Sequence, residues 1–256
     1  MIAPAPSWAD GPLLAYDLET TGTDIANDRI VTATVVTITP GRKPVSRDWL
    51  ADPGVEIPPA ATEVHGISTE HARDKGVPAE QVVAEIAEHL DEVWSAGTPL
   101  CAFNASFDLS LLAAELLRHH GREFALPGPV VDPMCLDKHL DRYRKGKRTL
   151  AALCEHYQVR LEQAHDSAGD ALGAARLAWR LAKSYPERIG TLAPDVLHEQ
   201  QIGWYRDQQQ DFAGYLERLA GRATDAAEAE QLRTRAAGIR AEADFWPLRV
   251  SVGALR

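Results

Sequence analysis

The stretch Leu13-Leu-Ala-Tyr-Asp-Leu-Glu-Thr-Thr-Gly22 decides the fold class, because it joins a short apolar strand to two acidic residues. Leu13 to Leu18 has the length and composition of a buried strand, and Gly22 suits a tight turn. Asp17 and Glu19 lie two residues apart, so a strand places both side chains on one face. Carboxylates at the end of an apolar strand are costly unless a partner compensates them. The stretch therefore predicts an acidic site at the end of a buried strand.

The chain that follows predicts a sheet covered by helices. Further strands are expected at residues 29–38, 45–50, 99–103 and 130–131, the last stopped by Pro133. Residues 53–59 are expected to form a loop. Helices are expected at 78–94, from Phe107 onward, at 149–157 and at 168–183. Strands mixed with helices, followed by helices alone, predict an α/β fold.

The last quarter of the sequence predicts a helical hairpin. Apolar residues recur at helical spacing from 195 to 220, and Gly221 breaks the run. Thr224-Asp225 can cap a second helix, and the hairpin would end at Phe245-Trp246-Pro247. We place a domain boundary near Tyr185-Pro186, with one domain at 1–186 and a helical extension at 187–256. The aromatic stripe of this extension is typical of packing against the first domain or a second copy.

Composition and charge exclude several classes of protein. The net charge of −10 argues against a passive DNA-coating protein, which would be basic, but a site built from carboxylates agrees with it. The three cysteines have no C-x-x-C spacing, which argues against a disulfide framework or a zinc site. The sequence has no signal peptide pattern and no apolar run of membrane-spanning length. We therefore expect a soluble cytoplasmic protein with no membrane partner.

Three segments carry side chains suited to metal chemistry. Besides Asp17 and Glu19, Asp108 follows Phe103-Asn-Ala-Ser-Phe107 where a strand meets a helix, and His165 and Asp170 lie where another helix begins. Converging carboxylates repel one another unless a hard cation such as Mg²⁺ or Mn²⁺ binds between them. Two such ions can activate water and stabilise the leaving oxygen of a phosphodiester, and a nearby histidine suits a general base.

Each of these residues also has a purely structural interpretation. Asp17 and Glu19 could be solvated acids at a strand end, and Asp108 or Asp170 could be acids that favour a helix N-terminus. A single histidine such as His165 is more often a surface residue than a base. The basic run Arg142-Tyr-Arg-Lys-Gly-Lys-Arg148 fits a nucleic-acid contact and a solvated loop equally well.

The order of the motifs resembles a known family. Asp17-Leu-Glu-Thr-Thr-Gly22, Asn104-Ala-Ser-Phe-Asp108 and His165-x4-Asp170 resemble the three motifs of DEDD-type 3′→5′ exonucleases, in the histidine-bearing subgroup. Residues 11–183 are similar to the proofreading epsilon subunit of bacterial DNA polymerase III. The C-terminal extension is unlike the polymerase-binding tail of that subunit, which favours a stand-alone or accessory exonuclease.

The resemblance implies a fold and a role for particular residues. It implies a ribonuclease-H-like mixed sheet flanked by helices, with two Mg²⁺ or Mn²⁺ ions held by Asp17, Glu19, Asp108 and Asp170 and with His165 as the general base. It also implies contacts to the terminal nucleotides from Thr20, Thr21, His65, Asn104 and Phe107.

The implied activity is removal of nucleoside 5′-monophosphates from the 3′ end of DNA, in proofreading or repair. RNA 3′-end trimming or oligonucleotide degradation is the alternative, because the chemistry barely senses the 2′-OH. A non-catalytic module that binds nucleic acid or a polymerase is a third hypothesis, which the five intact residues oppose. Nucleic acid is the expected partner, and a homodimer or a polymerase contact through the hairpin is a further hypothesis.

Overall fold

The protein, described by a computed structural model over residues 7–161 and 167–249, is built on a six-stranded mixed sheet. The strand order is β4-β3-β2-β1-β5-β6. The three long strands β1, β2 and β3 pair antiparallel, while the short strands add in parallel at both edges. Their bounds are β1 Leu13–Thr20, β2 Ile30–Ile38, β3 Val45–Asp52, β4 Val77–Pro78, β5 Leu100–Cys101 and β6 Val130–Val131.

Helices cover both faces of this sheet and form the C-terminal part. They are α1 Pro59–His65, α2 Thr69–Lys75, α3 Ala79–Val93, α4 Ala105–His120, α5 Pro133–Leu140, α6 Leu150–His156, α7 Ser167–Ser184, α8 Pro194–Ala220 and α9 Ala226–Glu242. A 3-10 turn at Trp8–Asp10 precedes β1, and a π-helical turn at Pro186–Gly190 joins α7 to α8. Within residues 7–161 and 167–249, no helix is long and apolar enough to cross a bilayer.

Alternation along β1 divides the core between the two faces of the sheet. Leu14, Tyr16 and Leu18 pack in one apolar cluster with residues of α3 and α4. Leu13 and Ala15 belong to a second cluster, whose helical side chains come largely from α7. Because side chains alternate along a strand, Asp17 and Glu19 continue the face that α7 covers.

The C-terminal helices form the predicted hairpin, and α8 also completes the sheet. Asp225 caps α9 by accepting the N–H of Ala227 at 2.8 Å. Earlier in α8, the fully buried Gln201 donates to the carbonyl of Val130 at 2.8 Å and accepts the N–H of Asp132 at 2.8 Å. Gln201 thus takes the place of a neighbouring strand for the edge strand β6.

The structure confirms the predicted long strands and helices and corrects the segments between them. Pro59 begins α1 and does not end a loop, and neither α1 nor α2 was expected. The helix expected from Phe107 begins two residues earlier, at Ala105. Pro133 does end β6, but it also occupies the first turn of α5, with Asp132 as the N-cap. Proline suits this position because the first helical N–H needs no partner within the helix.

Candidate active site

Asp17 and Glu19 lie near the carboxyl end of β1, on one face of the sheet. Both are half-buried, whereas Leu18 between them is 6% exposed, as the alternation of a strand requires. In the register with β2, Asp17 is opposite Thr34 and Glu19 is opposite Thr32. The pairing shifts between Glu19 and Thr20, which marks the end of the regular ladder. The structure therefore confirms that the two carboxylates share a face.

Asp108, in the first turn of α4, reaches the edge of β1 where its parallel neighbour has ended. β5 pairs with β1 only at Leu14 and Ala15, so the N–H of Leu18 has no partner on β5. The Asp108 carboxylate accepts this N–H at 3.2 Å. Asp108 is therefore held beside the backbone that links Asp17 to Glu19.

The environment of Asp108 disfavours its negative charge. The residue is 4% exposed, and burial raises its pKa to about 8 against the opposing effect of its backbone hydrogen bonds. The charges of Asp132 and Glu19 are smaller causes of the same upward shift in pKa. A buried carboxylate among other acids needs a proton or a cation to compensate it. This is the electrostatic condition under which a divalent cation binds well.

Asp170 comes from the opposite side, in the first turn of α7. The hydroxyl of Ser167, at the start of this helix, lies 2.7 Å from that of Thr34, which is the register partner of Asp17. Asp170 follows one turn later and is half-buried. Its charge contributes to raising the pKa of the Cys154 thiol to about 11, after the larger effect of burial. The start of α7 thus lies over Thr34 of β2, directly beside Asp17 of β1 in the sheet.

Asp132 has a role that the sequence did not reveal. Its carboxylate is 1% exposed and accepts the N–H groups of Asn104 at 3.0 Å and Ala105 at 3.2 Å. It also caps its own helix through Met134 and Cys135. One buried acid thereby joins the starts of α4 and α5. The signal in the sequence was an aspartate directly before a proline, which is typical of an N-cap.

The predicted nucleotide contacts cluster around the same edge, although some already serve the fold. Thr20 donates to the carbonyl of Gly22 at 2.6 Å. Thr21 is 5% exposed, and its hydroxyl donates to Asp28 and accepts the N–H of Arg29. Thr21 therefore holds the turn after β1. Its contact with a nucleotide stays a prediction.

The remaining contact residues lie on the helices that flank the end of β1. His65 ends α1 and accepts the N–H of Ile67 at 3.1 Å. Burial lowers its pKa, and the nearby backbone of Thr20 opposes that effect. Asn104 precedes α4 with the left-handed φ of 63°, and Phe107 packs partly buried against the core. His65, Asn104 and Phe107 are thus brought close to the acidic strand end.

The predicted general base, His165, lies outside the residues that the structure describes. The described residues alone contain no group of three or more His, Cys, Asp or Glu side chains placed to hold a metal ion. The donor chemistry nevertheless fits a hard divalent cation, because Asp108 is a buried carboxylate near the charge of Glu19. The assignment of Asp17, Glu19, Asp108 and Asp170 as metal ligands stays a prediction.

The basic run is largely committed to ion pairs. Arg144 and Arg148 both pair with the buried Asp137, and Arg148 also donates to the carbonyl of Asp141 at 2.6 Å. Arg142 pairs with Asp211 of α8. Part of this run therefore stabilises the connection between α5 and α6. The positive charge of the run does not by itself indicate a nucleic-acid contact.

Comparison of the sequence with known proteins agrees with the geometry of this site. The RNase_T family, described as exonuclease, matches residues 14–178. DNA polymerase III of the PolC type from Streptococcus agalactiae is 31% identical over 178 residues, and that from Streptococcus sanguinis is 28% identical over 186 residues. The matches cover 68% and 71% of this chain but 11% and 12% of the polymerases.

Solved structures show the same fold. Escherichia coli exonuclease I in complex with a dT13 oligonucleotide superposes with a TM-score of 0.56 and 18% identity, over 69% of this chain and 42% of that one. A zinc-bound form of the same enzyme with single-stranded DNA gives a TM-score of 0.56 and 19% identity, over 77% of this chain and 43% of that one. Exonuclease I from Methylocaldum szegediense gives 0.55 and 21%, over 81% and 45%.

The family match spans the three acidic motifs and, from Leu14 of β1 onward, the sheet that carries them. The mixed sheet flanked by helices is the ribonuclease-H-like architecture that the motifs led us to expect. This chain therefore belongs to the RNase_T exonuclease family, among the DEDD-type 3′→5′ exonucleases.

Proposed function

We propose that this chain is a two-metal-ion exonuclease that hydrolyses phosphodiester bonds from the 3′ end of DNA. It releases nucleoside 5′-monophosphates and acts in proofreading or repair. DNA is favoured as the substrate because the curated relatives are DNA polymerases and the similar solved structures include complexes with single-stranded DNA.

One observation supports this function above the others. The carboxylate of Asp108 is buried against the backbone of Leu18, between the two residues Asp17 and Glu19. Its pKa, raised to about 8, reflects an acid whose charge the protein alone does not compensate. Such an arrangement is costly in a structural role but suits a site that takes up divalent cations.

The residues divide the work of the reaction. Asp17, Glu19, Asp108 and Asp170 would hold two Mg²⁺ or Mn²⁺ ions. When bound there, the ions would supply the activation of a water and the stabilisation of the leaving 3′ oxygen. His165 accepts the proton of the attacking water, for which a neutral imidazole is suited at physiological pH. Thr20, Thr21, His65, Asn104 and Phe107 orient the terminal nucleotides.

The test compares the purified wild-type chain with Asp17→Ala on a 5′-labelled single-stranded DNA and the matching RNA. Each reaction is run with Mg²⁺, with Mn²⁺ and with a chelator. We expect a metal-dependent ladder that shortens from the 3′ end, faster on DNA, and a loss of at least about a hundredfold in the variant. Asp74→Ala, an exposed acid on α2, is the matched control and should retain activity.

Each outcome separates one part of the proposal. Wild-type activity in Asp17→Ala would contradict the metal assignment, and a faster ladder on RNA would replace DNA by RNA as the substrate. A wild-type chain that cleaves neither substrate would contradict the enzymatic function. It would favour the non-catalytic module that binds nucleic acid or a polymerase.

We also propose that residues 1–186 form the exonuclease domain and that residues 187–256 extend it through the hairpin. Gln201 supports a close connection, because its side chain bonds to Val130 and Asp132 of the first part. A homodimer or a polymerase contact would use the exposed side of the hairpin. The molar mass of the full chain in solution, measured by light scattering, tests the dimer directly.

A further inference from the structure

A groove of about 410 Å³ lies between α5, the loop that follows it and the middle of α8. We call it the α5–α8 groove. Its walls combine basic, amide and aromatic side chains, chiefly Lys138, Arg142, Arg148, Gln208, Asp211 and Phe212. This mixture differs from an apolar pocket for a small molecule and from a wholly solvated charged surface.

The charge of the groove opposes that of the whole chain. Lys138, Arg142 and Arg148 line the groove with one acid, Asp211, and Arg148 is also paired with the buried Asp137, in a protein of net charge −10. The neighbouring loop adds the exposed lysines Lys145 and Lys147. Local positive potential of this kind attracts a phosphate backbone.

The ion pairs within the groove divide into a fixed one and an exchangeable one. Arg148 is held by the buried Asp137, which fixes the shape of the loop. Arg142 and Asp211 also pair, but their side chains are 58% and 53% exposed. An exposed pair contributes little to stability, so a phosphate oxygen can replace the Asp211 carboxylate beside Arg142.

Exposed aromatic rings continue from the groove along the hairpin. Phe212 and Tyr215 are 39% and 48% exposed, and their rings lie nearly parallel at 6.4 Å between centroids. The Arg235 guanidinium of α9 lies 5.6 Å from the centre of the Phe212 ring. Tyr143, on the opposite loop, is 86% exposed. Aromatic rings beside cations are the platforms on which unpaired bases stack.

The groove is coupled to the acidic site through short contacts. Gln208, in its wall, donates to the carbonyl of Cys135 at 3.0 Å, in the first turn of α5. That turn is capped by Asp132, which also holds Asn104 ahead of Asp108. Lys138 is near enough to Asp132 for its charge to oppose the effect of burial on the pKa of that carboxyl.

We propose that the α5–α8 groove binds single-stranded DNA upstream of the 3′-terminal nucleotide, with phosphates on Lys138 and Arg142 and a base on Phe212. The inference rests on the proposed exonuclease function and names the part of the substrate that the acidic site does not contact. The hairpin then determines that the substrate is single-stranded, because a base that is paired inside a duplex cannot stack on the exposed Phe212 ring.

Binding can be tested without turnover. Fluorescence anisotropy with a labelled oligothymidine of about 12 nucleotides, in the presence of a chelator, measures the dissociation constant of the full chain. Lys138→Glu and Phe212→Ala should each weaken binding by about fivefold or more. Lys138→Glu should also reduce the salt dependence of log K by about one unit, as expected for the loss of a phosphate contact.

Two control variants match these changes elsewhere on the surface. Lys43→Glu alters the net charge equally in the exposed turn between β2 and β3, and Phe245→Ala removes a ring that is 42% exposed after α9. Both should bind like the wild type. Thermal melts of all four variants verify folding, and Phe212→Ala keeps the test decisive if Lys138→Glu unfolds.

The outcomes distinguish this inference from the function on which it rests. Groove variants that bind like their controls, in an enzyme that shortens DNA, would overturn the groove and leave the exonuclease standing. Weakened binding by both variants, in a chain that cleaves nothing, would support the groove and contradict the exonuclease. Tighter binding of the matching RNA would overturn DNA as the strand that the groove takes.

Discussion

Asp132 accepts the backbone N–H of Asn104 at 3.0 Å, although 28 positions separate the two residues in the sequence. Asn104 adopts a left-handed φ of 63°, which is uncommon for residues other than glycine and needs support from its surroundings. The carboxylate gives that support and bonds to Ala105 as well. The first turn of α4, and with it Asp108, therefore depends on an acid that does not itself belong to the predicted catalytic set.

We expect Asp132→Asn to lower the free energy of unfolding by about 2–3 kcal/mol. An amide cannot accept every N–H that the carboxylate accepts, and its NH₂ group would face a backbone donor. Exonuclease activity should already be reduced at temperatures well below the melting temperature of the variant, because Asn104 and Asp108 lose their position. Denaturant unfolding and initial rates measure the two effects, with the exposed Asp74→Asn as the control. Wild-type stability in Asp132→Asn would refute this role.

Thr34→Val tests how the start of α7 is held. Thr34 donates to Asp48 at 2.8 Å, so the hydroxyl of Ser167 donates to Thr34 at 2.7 Å. Valine keeps the shape but removes both bonds, and we expect a loss of about 1–2 kcal/mol in stability. We also expect kcat to fall about tenfold with little change in KM, because the start of α7 would shift and move Asp170 away from Asp17. Thr37→Val, on the same strand, is the control and should change neither the stability nor kcat. An equal kcat for Thr34→Val and Thr37→Val would contradict the positioning role.

Gln201→Leu tests the junction between α8 and the sheet. The side chain is fully buried and bonds to Val130 and Asp132 of β6 and its end. Leucine leaves a backbone N–H and a carbonyl without these partners, so we expect a loss of about 2–4 kcal/mol. Gln200→Leu, at an exposed position one residue earlier, serves as the control. Equal melting temperatures for both variants would show that β6 does not need α8.

His198 gives the stability a pH dependence. Its Nδ1 accepts the N–H of Val130 at 3.1 Å, and burial lowers the pKa of the ring. The unfolded chain therefore takes up the proton first, near pH 6.5, so stability is full above that pH and is lost as the pH falls below it. His198→Gln can still accept the N–H without titrating. Denaturant unfolding at pH 7 and 5 should show a smaller loss in this variant than in the wild type.

The control for that measurement is His71→Gln, an exposed histidine on α2. Its loss of stability between pH 7 and 5 should equal that of the wild type. An equal loss in His198→Gln as well would mean that other groups account for the pH dependence. The comparison isolates His198 from the remaining histidines of the fold.

The three cysteines should be unreactive in the folded protein. Cys101, Cys135 and Cys154 are all buried, and burial raises the pKa of each thiol. For Cys154 the pKa is about 11, with the charge of Asp170 as a secondary cause. At pH 8 we expect a disulfide reagent to react on the order of a hundredfold more slowly with the native than with the unfolded chain. Rapid labelling of native Cys154 would contradict its burial.

Sequence patterns predicted the long elements because these bury whole faces. β1, β2, α4 and α7 have apolar residues at the spacing of their own geometry, and the acids of β1 are confirmed on one face. α1 has no buried residue and α2 only Ala72, so neither leaves an apolar pattern to detect. Their formation depends on local caps and on packing around Ile57.

The part of the site that the sequence did not predict depends on contacts between distant segments. Asp132 was not among the predicted site residues, yet it joins α4 to α5. Arg144 and Arg148 were indistinguishable from surface charges until Asp137 proved to be buried beside them. No local pattern records which backbone N–H or which guanidinium will meet a given carboxylate.

The bonds of Gln201 also limit how such a chain can be rearranged. Its amide occupies the open edge of the sheet, and the N–H that it accepts belongs to Asp132, the residue that supports Asn104. A foreign tail grafted after α7 would need a side chain of the same length and hydrogen-bonding capacity at that point. Without one, β6 would be left as a bare strand edge, open to pairing with another chain. The helical extension is therefore not an interchangeable accessory, and exchanging it between relatives calls for exchanging β6 and the start of α5 with it.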